Sequence, residues 1–168
     1  MDKVDCFNQK NSGGIRTVIR PFDKKLEHTR DSEIGTESDY GPELVVFIPF
    51  KGEVRVKSIC VCGAPDGMAP RKVKLYKNEE TIDINILEEK KPVQIIELAE
   101  NLTGEVEYPV NQSKFTNTSS IVLGFDENFG ADKTGIKFIG IRGEFLRLKP
   151  KMGEIVYEVR ANYSKLEG

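Results

Sequence analysis

The sequence predicts an all-β domain, an antiparallel β-sandwich or jelly roll, and three observations carry the prediction. Short apolar or alternating runs recur along the chain, and the segments between them are rich in Gly, Pro, Asn and Asp. No stretch shows a convincing amphipathic helical period. About nine short strands without intervening helices fit two packed antiparallel sheets and not a parallel α/β sheet.

Taken in order, the first forty residues, with "PFDKKLEHTRDSEIGTESDYGPE", are polar and poorly periodic. They are expected to run extended and partly mobile around the sandwich, residues 1–36 as a wrapping segment and 37–168 as the core of one domain. "ELVVFIPF" is almost continuously apolar, the pattern of a strand buried on both faces. "VRVKSICVC", "RKVKLYK", "TIDINI", "VQIIEL", "EVEYPV", "SSIVLGF", "GIKFIGIR" and "GEIVYEVRA" follow, several with the period of two that marks a sheet face. Their separators "PFKGE", "GAPDGMAP", "DENFGADKTG" and "KPKMG" are turn formers. Only "TIDINILEEKK" has room for a helical turn. In "GIKFIGIR", Ile136, Phe138 and Gly140 are expected on one face and Lys137, Ile139 and Ile141 on the other.

A chain of 168 residues, 38% of them hydrophobic, buries one core and argues for one domain. With 25 basic against 27 acidic residues there is no electrostatic footprint for a phosphate backbone, so nucleic acid is not an expected partner. No run approaches the roughly eighteen apolar residues that span a bilayer, and "MDKVDCFNQKNSGG" lacks the apolar centre of a secretory signal. The expectation is a cytoplasmic or nuclear monomer that does not engage a membrane. The N-x-S/T sequons at Asn101, Asn111, Asn117 and Asn162 then read as chance occurrences.

The stretch "NFGADKTGIKFIGIRGE" sets Gly130 and Gly135 five apart around Lys133, close to the spacing of a phosphate-cradling loop. Such a loop needs Lys after its second Gly, then Ser or Thr, then a helix. Ile136 stands at the Lys position and strand patterning follows, which removes the nucleotide reading. Cys60 and Cys62 are two apart on a predicted strand, so both thiols share a face, expected to continue the core side of Val54 and Val56. A redox pair is normally C-x-x-C at a helix start, and zinc would need two more ligands when only Cys6 and His28 remain. Buried inert thiols are the expectation, with no metal and no cofactor. One His, no G-x-S-x-G elbow, and acid pairs Glu88/Glu89 and Glu97/Glu100 that suit a solvated face leave no catalytic constellation.

"NFGADKTGIKFIGIRGEF", with "ESDYGPELVVFIPF" upstream and "VKLYKN" and "LTGEVEY" between, resembles the PITH domain. That module interacts with the proteasome and is found at the C-terminus of a thioredoxin-like protein or alone; the stand-alone group is the nearer resemblance. The shared residues are Phe-Gly-Ala-Asp at 129–132, Arg-Gly-Glu at 142–144 and Glu-Ser-Asp at 37–39, and "VDCFNQ" matches at Cys6 and Asn8. In the family further acidic residues follow Glu-Ser-Asp, where this chain has Tyr40, Gly41 and Pro42. The thioredoxin domain of the fused relatives has no counterpart, so their redox activity does not carry over.

The resemblance implies a galactose-binding-like jelly roll and a non-enzymatic protein-interaction module that docks to the 26S proteasome. The fold relation leaves carbohydrate or small-ligand binding at a loop end as the alternative. The candidate partner-binding residues are Asp39, Tyr40, Asn128, Phe129, Asp132, Arg142 and Glu144. Arg142 and Glu144 also suit a structural pairing across neighbouring strands, and Gly140 and Gly143 suit close strand approach. Phe129, the large apolar residue of a long connection, either plugs the sandwich end or anchors a partner.

Overall fold

The computed structural model describes residues 3–148. The strand expected in "GEIVYEVRA" and the sequon at Asn162 lie outside the described residues. Chain order is β1 (Asp5–Phe7), α1 (Gly14–Val18), β2 (Thr36–Glu37), β3 (Leu44–Gly63), β4 (Lys72–Lys77), α2 (Ile86–Glu89), β5 (Gln94–Glu97), β6 (Tyr108–Pro109), β7 (Thr118–Phe125) and β8 (Gly135–Leu148). Single 3-10 turns lie at Phe22–Lys24 and Glu27–Thr29.

Strand β3 organises the molecule. Its first part, residues 44–49, pairs with β7 on one side and, at residues 45–47, with β1 on the other. Its second part, residues 52–63, pairs with β8, and β6 joins at Ser58 and Ile59. Strands β4 and β5 extend the β7 side, and β2 extends the β8 side. All these pairings are antiparallel, so one hydrogen-bonded path doubles back through β3 into two layers. The sequence punctuation "PFKGE" therefore marks a bend with a register shift inside one long strand, where a break between two strands was expected.

The main core fills the space between the layers. Leu44, Val46, Ile48, Val54, Val56, Ile59 and Val61 of β3 meet Val73 and Leu75 of β4, Ile121, Leu123 and Phe125 of β7, and Ile136 and Ile139 of β8. As the continuous apolar run predicts, the opposite face of the first part of β3 is also buried. There Val45 and Phe47 join Tyr76, Val122 and Ile86 beneath α2. "TIDINI" is accordingly not a strand. Its Ile86 is the buried anchor of α2, within the stretch that had room for a helical turn.

Two bulges overturn expected faces. A register shift between Val56 and Ser58 reverses β3, so Ile59 and Val61 continue into the main core while Cys60 and Cys62 point outward. The thiols are buried, but under Phe22 and beside Phe138 and not on the side of Val54 and Val56. A second shift pairs Gly63 with Ile136 and Cys62 with Phe138, leaving Lys137 extra. Ile136 thus faces the core and Phe138 the opposite side, against the simple alternation.

The N-terminal forty residues are also more structured than an extended wrap. Gly13 at φ 82 leads into α1, whose Ile15 and Val18 are buried three apart. A helix of five residues is too short to register as a period in the sequence. Phe22 then covers the Cys60–Cys62 face and meets Phe138 edge to face, with centroids 5.5 Å apart. Gly140 makes that possible, since a Cβ there would lie 2.6 Å from the Phe22 ring. Among the described residues no helix is long and apolar enough to cross a membrane.

Candidate interaction site at one end of the sandwich

Three loops meet where β3 begins and β7 ends, a place defined by the pairing of Leu44 with Phe125. They are residues 38–43, 64–71 and 126–134. The last is the long connection seen in the sequence, and it is held from within by Asn128. The Asn128 amide donates to Lys133 O at 3.0 Å and Thr134 Oγ1 at 3.3 Å, while its Oδ1 accepts from Gly130 N at 2.9 Å. Gly130 takes φ 115, a left-handed value that an L side chain rarely adopts.

The loop is clasped to its neighbour at residues 64–71 by backbone bonds. Arg71 N donates to Glu127 O at 3.0 Å, Phe129 N to Ala69 O at 3.2 Å, and Ala131 N to Gly67 O at 3.3 Å. Gly67 sits at φ 81 with its missing Cβ 3.1 Å from Phe129 O, so a larger residue would push the loops apart. The result is a braced platform and not a loose hairpin tip.

Ser38 joins the third loop to the first. Its N donates to Thr134 O, and Thr134 N donates to Ser38 Oγ, both at 2.9 Å. Asn8 fixes the remainder. Its side chain donates to Tyr40 O and Glu43 O, each at 2.7 Å, and Asp39 N donates to Asn8 O at 2.7 Å. On this frame Tyr40 is 79% exposed and Phe129 37% exposed. The Arg71 guanidinium lies 5.9 Å from the Phe129 ring centroid, so a cation already braces the aromatic. Asp132 is exposed, and Asp39 is half-buried.

The structure therefore brings Asp39, Tyr40, Asn128, Phe129 and Asp132 to one end, but not Arg142 and Glu144. Those two lie on β8 seven and nine residues past Gly135, which places Arg142 about 23 Å along the strand. Arg142 Nε donates to Glu107 Oε1 at 3.0 Å and Oε2 at 3.1 Å, and its guanidinium carbon sits 3.9 Å from the Phe22 ring centroid. Glu144 accepts from Arg55 and stands 3.7 Å from Lys57. Glu144 is thus engaged across β8 and β3, and Arg142 with the residue that precedes β6. Gly143 is equally constrained, since a Cβ there would fall 2.3 Å from Arg55 O.

Thr134, Gly67 and Arg71 were not legible as site residues. Ser38 and Asn8 were legible only as family matches. Elsewhere the polar candidates are engaged or solvated. His28 Nδ1 lies 2.9 Å from Lys25 O, and the acid pairs Glu88/Glu89 and Glu97/Glu100 are exposed. Asn101 is buried, its amide donating to Val61 O and Val106 O at 3.1 Å, so its sequon is occupied by the fold. The neighbouring Cys60 thiol first, and burial second, push the Cys62 pKa upward, while Cys60 Sγ donates to Gly104 O at 3.7 Å. Among the described residues no group of three or more His, Cys, Asp or Glu is placed to hold a metal ion.

The comparisons with known proteins agree with this architecture. Among solved structures, the C-terminal domain of a chitobiase from Bacteroides fragilis superposes with a TM-score of 0.56 at 12% identity, covering 86% of this chain and 96% of that one. A pectin-binding carbohydrate-binding module gives 0.54 at 12% identity, covering 88% and 94%. These likenesses show the galactose-binding-like β-sandwich and nothing more specific. In sequence, PITH domain-containing protein 1 of Homo sapiens is 34% identical over 163 residues, covering 96% of this chain and 75% of the relative. PITH domain-containing protein CG6153 of Drosophila melanogaster is 35% identical with the same coverage. The family model described as the PITH domain matches residues 1–161, and the chain belongs to that family.

Proposed function

We propose that this protein is a binding module that docks to the 26S proteasome through the loop end that presents Tyr40 and Phe129. The observation that carries the reading is the Ser38–Thr134 pairing, which fuses two segments 96 positions apart into one rigid surface. Both fused segments carry residues on which the family resemblance rests, Glu37 to Asp39 in one and Phe129 to Asp132 in the other. Exposed aromatics on a braced scaffold are the usual anchors of protein interfaces, because they bury much area at little entropic cost. On this reading the chain acts by binding and not by catalysis, as a monomer in the cytoplasm or nucleus.

Sugar binding at the loop end would rest on fold likeness at 12% identity, which fixes architecture and not ligand. Affinity purification of the tagged protein under gentle lysis, with mass spectrometry of what is retained, tests the proposal. Proteasome subunits should be recovered from the parent and depleted with a Tyr40→Ala, Phe129→Ala double variant. Equal recovery with both proteins, or none with a folded parent, would refute it.

A further inference from the structure

The bulge that turns Cys60 and Cys62 away from the main core sets them among cations. Gly104 O accepts from Cys60 Sγ at 3.7 Å and from Lys25 Nζ at 3.0 Å, so one carbonyl links a thiol to an ammonium. Gly104 also gives the place its room, since a Cβ there would stand 2.9 Å from Cys62 Sγ and 3.0 Å from Lys25 Cδ. A second cation, Arg20, holds its guanidinium carbon 5.3 Å from the centroid of Phe138, the ring packed beside the thiols. Phe22 covers the pair and carries Arg142 over its own ring at 3.9 Å. Lys25 and Arg20 both favour the Cys62 thiolate, and Cys60 is drawn below its ordinary value, first by the neighbouring Cys62 thiol, with Lys25 assisting against burial. Thiols that only fill a core need no cations, whereas thiolates do.

We propose that Cys60 and Cys62 form a two-coordinate site for a soft monovalent cation, Cu(I). The pairings Cys60 with Gly140, Val61 with Ile139 and Cys62 with Phe138 follow one another in register, so the two cysteines stand two regular steps apart on an extended strand. Those steps separate them by about 6.6–6.8 Å. A disulfide brings its Cβ atoms to ~3.8 Å, so this spacing opposes a direct sulfur–sulfur bond. A linear sulfur–metal–sulfur bridge spans about twice a metal–sulfur bond of ~2.3 Å, which takes up most of the separation. Thiolates are the ligands that select Cu(I), and a filled-shell monovalent ion is satisfied by two of them in line, where structural zinc takes four ligands.

Binding forms two sulfur–copper bonds and releases both thiol protons to solvent, while the copper keeps its single positive charge. The ion and two thiolates together carry one net negative charge, in a place where both sulfurs are fully buried. A buried charge is tolerated only when it is paired, and Lys25 and Arg20 supply the pairing. Phe22 then shields the ion, and the ion enters only when Phe22 moves. Loading is therefore slow for the same reason that the thiols are sheltered from alkylation.

Anaerobic titration of the full chain with the Cu(I)–bicinchoninate complex tests the proposal. The parent should draw one Cu(I) per chain from the chelator, and X-ray absorption of the loaded protein should show two sulfur neighbours in line. Cys60→Ser and Cys62→Ser should each weaken binding by more than ~100-fold, beyond the ~10–100-fold that loss of an outer partner costs. Cys6→Ser should leave it unchanged. Lys25→Met should weaken it by about 10-fold and Lys25→Arg should restore it, so the proposal stays open to refutation even where a cysteine variant does not fold. Phe22→Ala should speed loading without altering the stoichiometry. No uptake by the folded parent would overturn the proposal. So would uptake that survives both cysteine variants, which would mark the copper as adventitious, or an affinity indifferent to Lys25→Met.

Discussion

Ser38 and Thr134 bind each other twice. Ser38 N donates to Thr134 O and Thr134 N donates to Ser38 Oγ, each at 2.9 Å, in positions where both residues are buried. The same hydroxyl donates onward to Gly41 O at 2.5 Å, so one side chain sets the spacing of two loops. The Phe129 platform and the Tyr40 turn consequently behave as a single surface, and the proposed docking depends on that union.

Replacing Ser38 by Ala should be costly out of proportion to one hydroxyl. The buried Thr134 N–H loses its acceptor and Gly41 O its donor, a penalty of about 1–3 kcal/mol. Urea unfolding followed by fluorescence or circular dichroism should show the midpoint fall without a change in slope. An unchanged midpoint would mean that the two loops are not held by this contact.

Phe129→Ala should separate stability from binding. The side chain is 37% exposed, so its truncation should cost little beyond the Arg71 cation–π contact, about 0.5–1 kcal/mol. Partner binding should weaken by about 2 kcal/mol, the scale of an aromatic hot spot. A loss of stability near 3 kcal/mol or more, as for a buried Phe, would make Phe129 a plug and remove it from the site.

The outward thiols depend on Phe22 for their shelter, and Phe22 depends on Gly140. Gly140→Ala would place a Cβ 2.6 Å from the Phe22 ring and 2.7 Å from Phe138 Cζ. The variant should lose about 1–3 kcal/mol through overpacking. In the parent, Cys60 and Cys62 should react with iodoacetamide only slowly until the chain is unfolded, because burial excludes the reagent. In Gly140→Ala their labelling should accelerate. Rapid labelling of the parent would show that the cover over the thiols opens freely.

Cys6 should make the fold alkali-sensitive. Burial first, and the charge of Asp5 second, push its pKa from 9.0 to about 12. A raised pKa in the native state means that the unfolded chain releases its proton first as pH rises. The stabilising contribution is therefore complete below pH 9.0 and lost progressively from there toward pH 12, by at most about 1.4 kcal/mol per pH unit for one group. Denaturant titrations at pH 8 to 11 should show a steeper decline for the parent than for Cys6→Ala. Parallel declines would contradict the assignment.

What was legible in the sequence follows from which interactions are local. The run "ELVVFIPF" announced a strand buried on both sides because burial on two faces needs no partner to be recognised. "PFKGE" announced a change of direction, though not that β3 would pass through it unbroken. The faces of Cys60, Cys62 and Phe138 were misread because each bulge adds one residue, and whether a residue is extra depends on the register of β3 against β8. Helix α1 is too short for its period to show. Of the site, Tyr40 and Phe129 were legible as unusual residues in turn-rich segments. That they share one surface was not, since Ser38 and Thr134 are brought together only by the folding of β2 against β8.

The most direct measurement is the affinity of the purified full chain for purified 26S proteasome, by biolayer interferometry, beside the Tyr40→Ala, Phe129→Ala double variant and an Arg142→Ala control. The account predicts saturable binding by the parent, a loss of at least about 30-fold in the double variant from two anchors, and a much smaller effect from Arg142, which lies away from the loop end. Binding that withstands the double variant but collapses with Arg142→Ala, or no binding by the folded parent, would contradict the assignment of this loop end as the docking surface.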